Sequence, residues 1–214
     1  MHNEPTPSVE PREFGVGGRI TLSVMADDFV DVILGAIAET PRDGLTVETD
    51  PVSTWFTGAE QDIARYVSGL IAAASRGGRH VVANVMLSRG CPGEITCERP
   101  DRPPVFSDAP LTVPTTGVEA VAQWALYPLD DHGSPERSAD HMRDIYAAIE
   151  DAKASGTFVD SDHYVTRLSG DVADILTTIT AAWASVGRTV AHVTTHATVS
   201  VNSPSIARTA EAGR

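Results

Sequence analysis

Asp50-Pro51-Val52-Ser53-Thr54, followed by Gly58 and then Asp62-Ile63, returns 112 residues later as Asp162-His163-Tyr164-Val165-Thr166, Gly170 and Asp174-Ile175. In a wider window, Phe29–Pro92 aligns with His141–Pro204 without a gap, and sixteen of the 64 positions are identical. Ordinary composition yields about four such matches. The excess favours an internal duplication, and the elements on either side repeat as well.

Ile20-Thr-Leu-Ser-Val and Gln123-Trp-Ala-Leu-Tyr alternate as strands do. A helix follows each: Phe29, Val32, Ile33, Ala36 and Ile37 share one face, as do Met142, Ile145, Tyr146 and Ile149. Gly44 and Gly156 break those helices, and the Thr- and Val-rich segments 45–57 and 157–169 follow. Asp50-Pro51 and Asp162-His163 divide each segment into two strands. Second helices start after Gly58 and Gly170, with Asp171 a candidate N-cap, and strands from His80 to Ser88 and from His192 to Ser200 close the units. The order β-α-β-β-α-β predicts an α+β protein: two tandem ferredoxin-like (ACT-like) repeats, with the helices on one face of each antiparallel sheet. The opposite face needs cover, either from the sibling repeat or from a second subunit, so two domains and a homodimer are expected.

The expected boundaries are an N-terminal tail over 1–18, repeats at 19–92 and 119–204, a Pro-rich linker at 93–118 and a C-terminal tail over 205–214. Gly15-Val-Gly-Gly precedes a strand instead of opening a helix after one, so it reads as tail and not as a phosphate cradle. The second repeat carries extra residues around Asp130–Asp140, a loop that either overlies a pocket or is idle surface.

Among 214 residues, 16 are basic and 29 acidic, for a net charge of −13. That balance argues against nucleic-acid binding and against clamping an anionic membrane, and it suits a cationic ligand. The uncharged stretch from Ile175 to Gly187 is shorter than the ~20 residues of a membrane span. Cys91 and Cys97 cannot build a disulfide scaffold, and the N-terminus has no signal-peptide pattern, so the expected compartment is the cytoplasm. His192 and His196 share a strand face, but the first repeat offers only His80 and Asn84 there, which argues against a metal site. No Gly-x-Ser-x-Gly elbow or Ser/His relay spacing is present. The repeated polar positions are more suggestive. Thr49, Asp50, Ser53 and Thr54 answer to Ser161, Asp162, Val165 and Thr166; Ser88 answers to Ser200, and Asn84 to His196. Such positions either form two related binding sites or serve turns and exposed strand faces.

Leu22-Ser-Val-Met-Ala-Asp-Asp-Phe-Val-Asp-Val-Ile, Thr49-Asp-Pro-Val-Ser-Thr and Leu87-Ser-Arg-Gly-Cys-Pro-Gly lie in the first repeat. Ala125-Leu-Tyr-Pro-Leu, Gly156-Thr-Phe-Val, Asp162-His-Tyr and Val201-Asn-Ser-Pro-Ser follow in the second. As an ordered set from Arg19 to Ser205, they resemble the YkoF family. The resemblance implies tandem ferredoxin-like repeats, a dimer, and non-enzymatic binding of thiamine or its hydroxymethylpyrimidine (HMP) moiety. It also implies service to vitamin uptake, with membrane transporter components as possible partners.

An aminopyrimidine presents an exocyclic amine beside ring nitrogens. Asp50 or Asp162 can accept from the amine, while Thr49, Ser53, Asn84, Ser88, Ser161, His196 and Ser200 complete the candidate polar set. Tyr127, Tyr164, Trp55 and Phe29 are candidate flat walls. The family's Leu-Tyr-Pro-Met is Leu22-Ser23-Val24-Met25 in the first repeat, whereas the second keeps Leu126-Tyr127-Pro128-Leu129, so the first site is expected to lack a wall. A rival reading is a small enzyme using Asp162 with His163, or His196, as acid and base. A third is a regulatory interaction module without a small ligand.

Overall fold

A computed structural model describes residues 10–91, 109–129 and 141–205. Cys97 and the extra loop at 130–140 lie outside the described residues, as does most of each terminal segment.

The first half comprises α1 (Pro11–Phe14), β1 (Gly17–Val24), α2 (Phe29–Glu39), β2 (Leu45–Thr49), β3 (Thr54–Gly58), α3 (Glu60–Ala74) and β4 (Val81–Arg89). The second comprises β5 (Glu119–Leu129), α4 (His141–Ser155), β6 (Phe158–Asp162), β7 (Val165–Asp171), α5 (Val172–Val186) and β8 (His192–Val201). The repeated β-α-β-β-α-β rhythm is therefore present in both halves.

The halves do not form two separate sheets. β4 pairs antiparallel with β8, giving one eight-stranded antiparallel sheet in the order β2-β3-β1-β4-β8-β5-β7-β6. Val85 pairs with Ala197, its own counterpart in the repeat, so the β4–β8 seam has the form of a two-fold contact within one chain. This seam joins what would otherwise be two exposed strand edges. α3 packs on α5, with α2 and α4 outside them, so the four helices cover one face. The sibling repeat thus extends the sheet instead of covering its other face.

Strand alternation separates the two faces. Val81, Ala83, Val85 and Leu87 of β4 and Val193, Thr195, Ala197 and Val199 of β8 are buried under the helices. The alternate residues, among them Asn84, Met86, His196 and Thr198, lie on the open face.

The tail expected over 1–18 is corrected at its described end. Phe14 and Val16 are buried in the core, and β1 already begins at Gly17. A Cβ on Gly17 or Gly18 would run into the backbone carbonyls of Phe56 and Met86, which explains why glycine stands in this strand. The end of the expected linker is likewise tied down. Gln61 Nε2 donates to the Thr112 carbonyl at 2.6 Å, and its Oε1 accepts from Thr112 N–H at 2.9 Å. Asp171 is the N-cap of α5, accepting from Ala173 N–H at 2.7 Å. It also accepts from Thr116 N–H, the Thr116 hydroxyl and Gly117 N–H.

Candidate functional site

Each half leaves a cavity where its first helix stands away from the sheet. The first measures about 510 Å³, between β1, α2 and the β2–β3 turn. Phe29, Ile33 and Ile37 form its helix wall and Ile20, Leu22 and Val24 its strand floor. The helix spacing of four residues is the apolar stripe seen in the sequence, yet within α2 only Ala36 is buried. Phe29, Ile33 and Ile37 border the cavity, while Val32 packs against the core. The second cavity, about 300 Å³, uses Ile145, Ala148 and Ile149 of α4 against Trp124 and Leu126 of β5.

The turns close the cavities at equivalent places. Thr49 pairs across the hairpin with Thr54, their hydroxyl oxygens 3.0 Å apart, and Ser161 pairs with Thr166 in the same register. All four residues line their cavities. A hydroxyl both donates and accepts, so each pair can answer an adjacent amine and ring nitrogen.

Asp50 also borders the first cavity, but its carboxylate is already employed. Oδ1 accepts from Val52 and Ser53 N–H at 2.8 Å each, and Oδ2 meets Arg19 Nη1 at 2.8 Å. Arg19 also donates to Ser53 Oγ at 2.7 Å, so Ser53 sits in the same network at the cavity rim. The Arg19 guanidinium, helped by those two backbone donors, holds the Asp50 carboxyl down to about 2. Asp50 is therefore an ionised rim group that stiffens its own turn. Asp162 does not line the second cavity. It accepts from His163 N–H and bonds His163 Nδ1, both at 2.7 Å, and those bonds hold its carboxyl below the ordinary value.

Tyr164 borders the second cavity from the tip of its turn, 97% exposed and at φ 66°, a left-handed conformation that places it beyond the hairpin. Tyr127 also borders it, but belongs to the β5 series facing away from α4. Its register counterpart Ser23 has the same orientation on β1, so the missing tyrosine takes no helix-side wall from the first cavity. The reason is strand parity, which the motif alone does not reveal.

Four candidate residues gather elsewhere. Asn84, Ser88, His196 and Ser200 stand on the open face of β4 and β8, lining neither cavity. Asn84 Oδ1 accepts from Thr198 Oγ1 at 3.0 Å, and Ser200 Oγ lies 3.2 Å from His80 Nε2. Trp55 lies on the open side too, its ring 5.5 Å from the Arg12 guanidinium carbon. The Asp162–His163 contact required by the enzyme reading does form, but the His163 side chain is 90% exposed and neither residue lines a cavity.

Trp124 was missed in the sequence, and Thr54 and Thr166 were noted among the repeated polar positions but not carried into the candidate set. Thr54 and Thr166 are identical across the repeat, a signal that was available. Trp124 had no such signal, because Ile20 stands in its place. Among the described residues, no three His, Cys, Asp or Glu come together, and no helix is long and apolar enough to cross a membrane.

Comparison with known proteins follows the same division into halves. A protein 33% identical over 193 residues, covering 88% of this chain and 91% of its own length, comes from Bacillus subtilis (strain 168). It bears the name "Putative HMP/thiamine-binding protein YkoF", a binding protein and not an enzyme by that name. The model of the YKOF-related family matches residues 15–94 and 119–206, one segment for each half of the sheet, and the chain belongs to that family.

Proposed function

We propose that the protein binds thiamine or its hydroxymethylpyrimidine moiety without chemical change, one molecule in each helix–sheet cavity. The observation that carries this reading is the recurrence of one constellation. An apolar helix wall, a strand floor and a cross-strand hydroxyl pair enclose a cavity at equivalent positions in both halves. The pyrimidine lies edge-on to Thr49 and Thr54, or to Ser161 and Thr166, with its faces against the aliphatic side chains. The name of the Bacillus subtilis relative supports the ligand class. Net charge of −13 favours encounter with the thiazolium cation.

In this reading the protein serves vitamin uptake or salvage in the cytoplasm and passes its ligand to transporter components. The open face, where Met86, Val121, Tyr127 and Leu129 are exposed, packs against a second copy of the chain. Sedimentation equilibrium reports the dimer. Titration calorimetry and thermal melting with thiamine and with free HMP test the binding. At a hundred times Kd, a ligand bound only by the native state adds about 2.7 kcal/mol of stability. Absence of both heat and thermal shift at millimolar ligand would overturn the reading.

A further inference from the structure

Charged residues make up 21% of the sequence, but the middle of the open sheet face is almost free of them. Among the described residues, β4, β8 and β5 show one ionisable group there besides the Tyr127 phenol, and that group is His196. Glu119 and His192 stand at strand ends. Charge returns on both flanks, where Arg19 meets Asp50 at 2.8 Å and Arg167 meets Asp160 at 3.2 Å. An uncharged centre inside a charged rim is the anatomy of a protein–protein interface. The centre is Val85–Ala197, the point about which the two repeats are related. Four strands about 4.8 Å apart and about eight residues long give about 500 Å² per copy, or about 1,000 Å² in a pair, which reaches the lower bound for a specific contact. A second copy covers such a patch completely only when the two centres coincide.

His196 lies one residue from that centre, with Met86 of β4 and Ala125 of β5 beside it in register. Asn84 Oδ1, the nearest amide oxygen in the seam, already accepts from Thr198. Arg19 stands two strands away in the same row, and its guanidinium is held by Asp50 and Ser53. Glu119 is at the far end of β5, while His80 and His192 flank opposite ends of the β4–β8 seam. A face-to-face copy brings the same groups from the other side, so the centre contains no carboxylate. A neutral imidazole can be buried in that company, whereas an imidazolium would lose its water without gaining a counter-charge. Resting on the dimer proposed above, we infer that the two copies meet across His196 and that acid separates them by protonating it. The proton binds the free face more readily than the covered one. The dimer therefore holds at and above neutral pH and loosens as pH falls through the range in which histidine takes its proton. His196 lines neither cavity, so the contact and the ligand sites lie on opposite faces of the sheet.

Sedimentation equilibrium of the full chain at pH 8 and pH 5.5 tests this, with thermal melting at each pH to separate dissociation from acid unfolding. The wild-type dimer Kd is expected to rise at least about tenfold at the lower pH. His196→Gln keeps a hydrogen-bonding side chain without the charge, so its Kd should be the same at both. His196→Lys carries a charge throughout and should weaken the dimer at pH 8 as well. A wild-type Kd unmoved at pH 5.5, or a folded His196→Gln variant that dissociates as wild type does, would overturn the acid switch and leave the dimer standing. If wild type has no cooperative melt at pH 5.5, His196→Lys at pH 8 decides, and an unchanged Kd there overturns the switch. A wild-type monomer at pH 8 would overturn the dimer and the switch together, while the ligand titrations would still stand or fall by themselves.

Discussion

Where the first half pairs the buried Arg89 with a partly exposed Glu60, the second half has Val201 and Val172. Arg89 is fully buried on the last residue of β4, against the Phe14 ring, and packs so closely on Gly187 that a Cβ there would strike its side chain. Burial pulls the Arg89 guanidinium down from its ordinary pKa, and the Glu60 carboxylate works against that pull. At the other end of the sheet, Val172 and Val201 fill equivalent positions with aliphatic volume alone. The same backbone thus accepts a charged or an apolar solution at one site. The two are not equally safe against single substitutions, because desolvated charges depend on each other and methyl groups do not.

Glu60→Ala is expected to have the largest effect, destabilising the protein by about 3 kcal/mol in denaturant unfolding, since it removes a charge-assisted hydrogen bond from a buried guanidinium. Glu60→Val with Arg89→Val, which rewrites the first half in the second half's terms, should be neutral or stabilising by about 1–4 kcal/mol. A double variant as damaged as Glu60→Ala would show that the arginine holds the halves together by more than its charge pair.

The helix starts offer a second contrast. Asp171 caps α5, whereas its counterpart Ala59 precedes α3 with no side chain able to do so. Asp171→Ala should cost about 2 kcal/mol, combining a lost cap with the donors of Thr116 and Gly117 left unsatisfied. The reciprocal Ala59→Asp, at a backbone position already extended (φ −68°, ψ 148°), should stabilise by about 1 kcal/mol. Both are read as shifts of the denaturant midpoint at constant slope.

The turn carboxylates differ least. The Asp50 carboxyl lies near 2 in the folded chain against an ordinary 3.8, so its contribution is present above pH 3.8 and is lost as pH falls toward 2. Asp162 is lowered as well, by His163 and not by a paired arginine. Melting temperature followed from pH 5 to pH 2 should therefore fall less steeply in Asp50→Asn than in wild type. Asp162→Asn should flatten the curve less than Asp50→Asn. An equal response from both would show that Arg19 contributes nothing to the first turn.

The repeat, the element order and the apolar stripes of the helices were legible in the sequence because they rest on local periodicity and on a match between two stretches of one chain. Thr49 and Ser161 were found for the same reason, and they do face the cavities. Asn84, Ser88, His196 and Ser200 were equally well matched across the repeat, yet stand on the far side of the sheet. Matching identifies equivalent residues but says nothing about which side of a strand faces the helices. Phe14 and Val16 were missed because a four-residue helix leaves no periodic trace, and Trp124 because its counterpart is isoleucine.

The amino-acid sequence by itself determined two copies of one β-α-β-β-α-β unit, which residues in them are equivalent, and the acidic surface that surrounds them. Only the tertiary structure decided that β4 and β8 join the copies into one sheet, which strand face looks at the helices, and where the cavities open. Strand and helix patterns are short-range properties of the chain. Pairing across 112 residues, and the gap left where a helix stands off a sheet, depend on contacts between side chains that no local pattern contains.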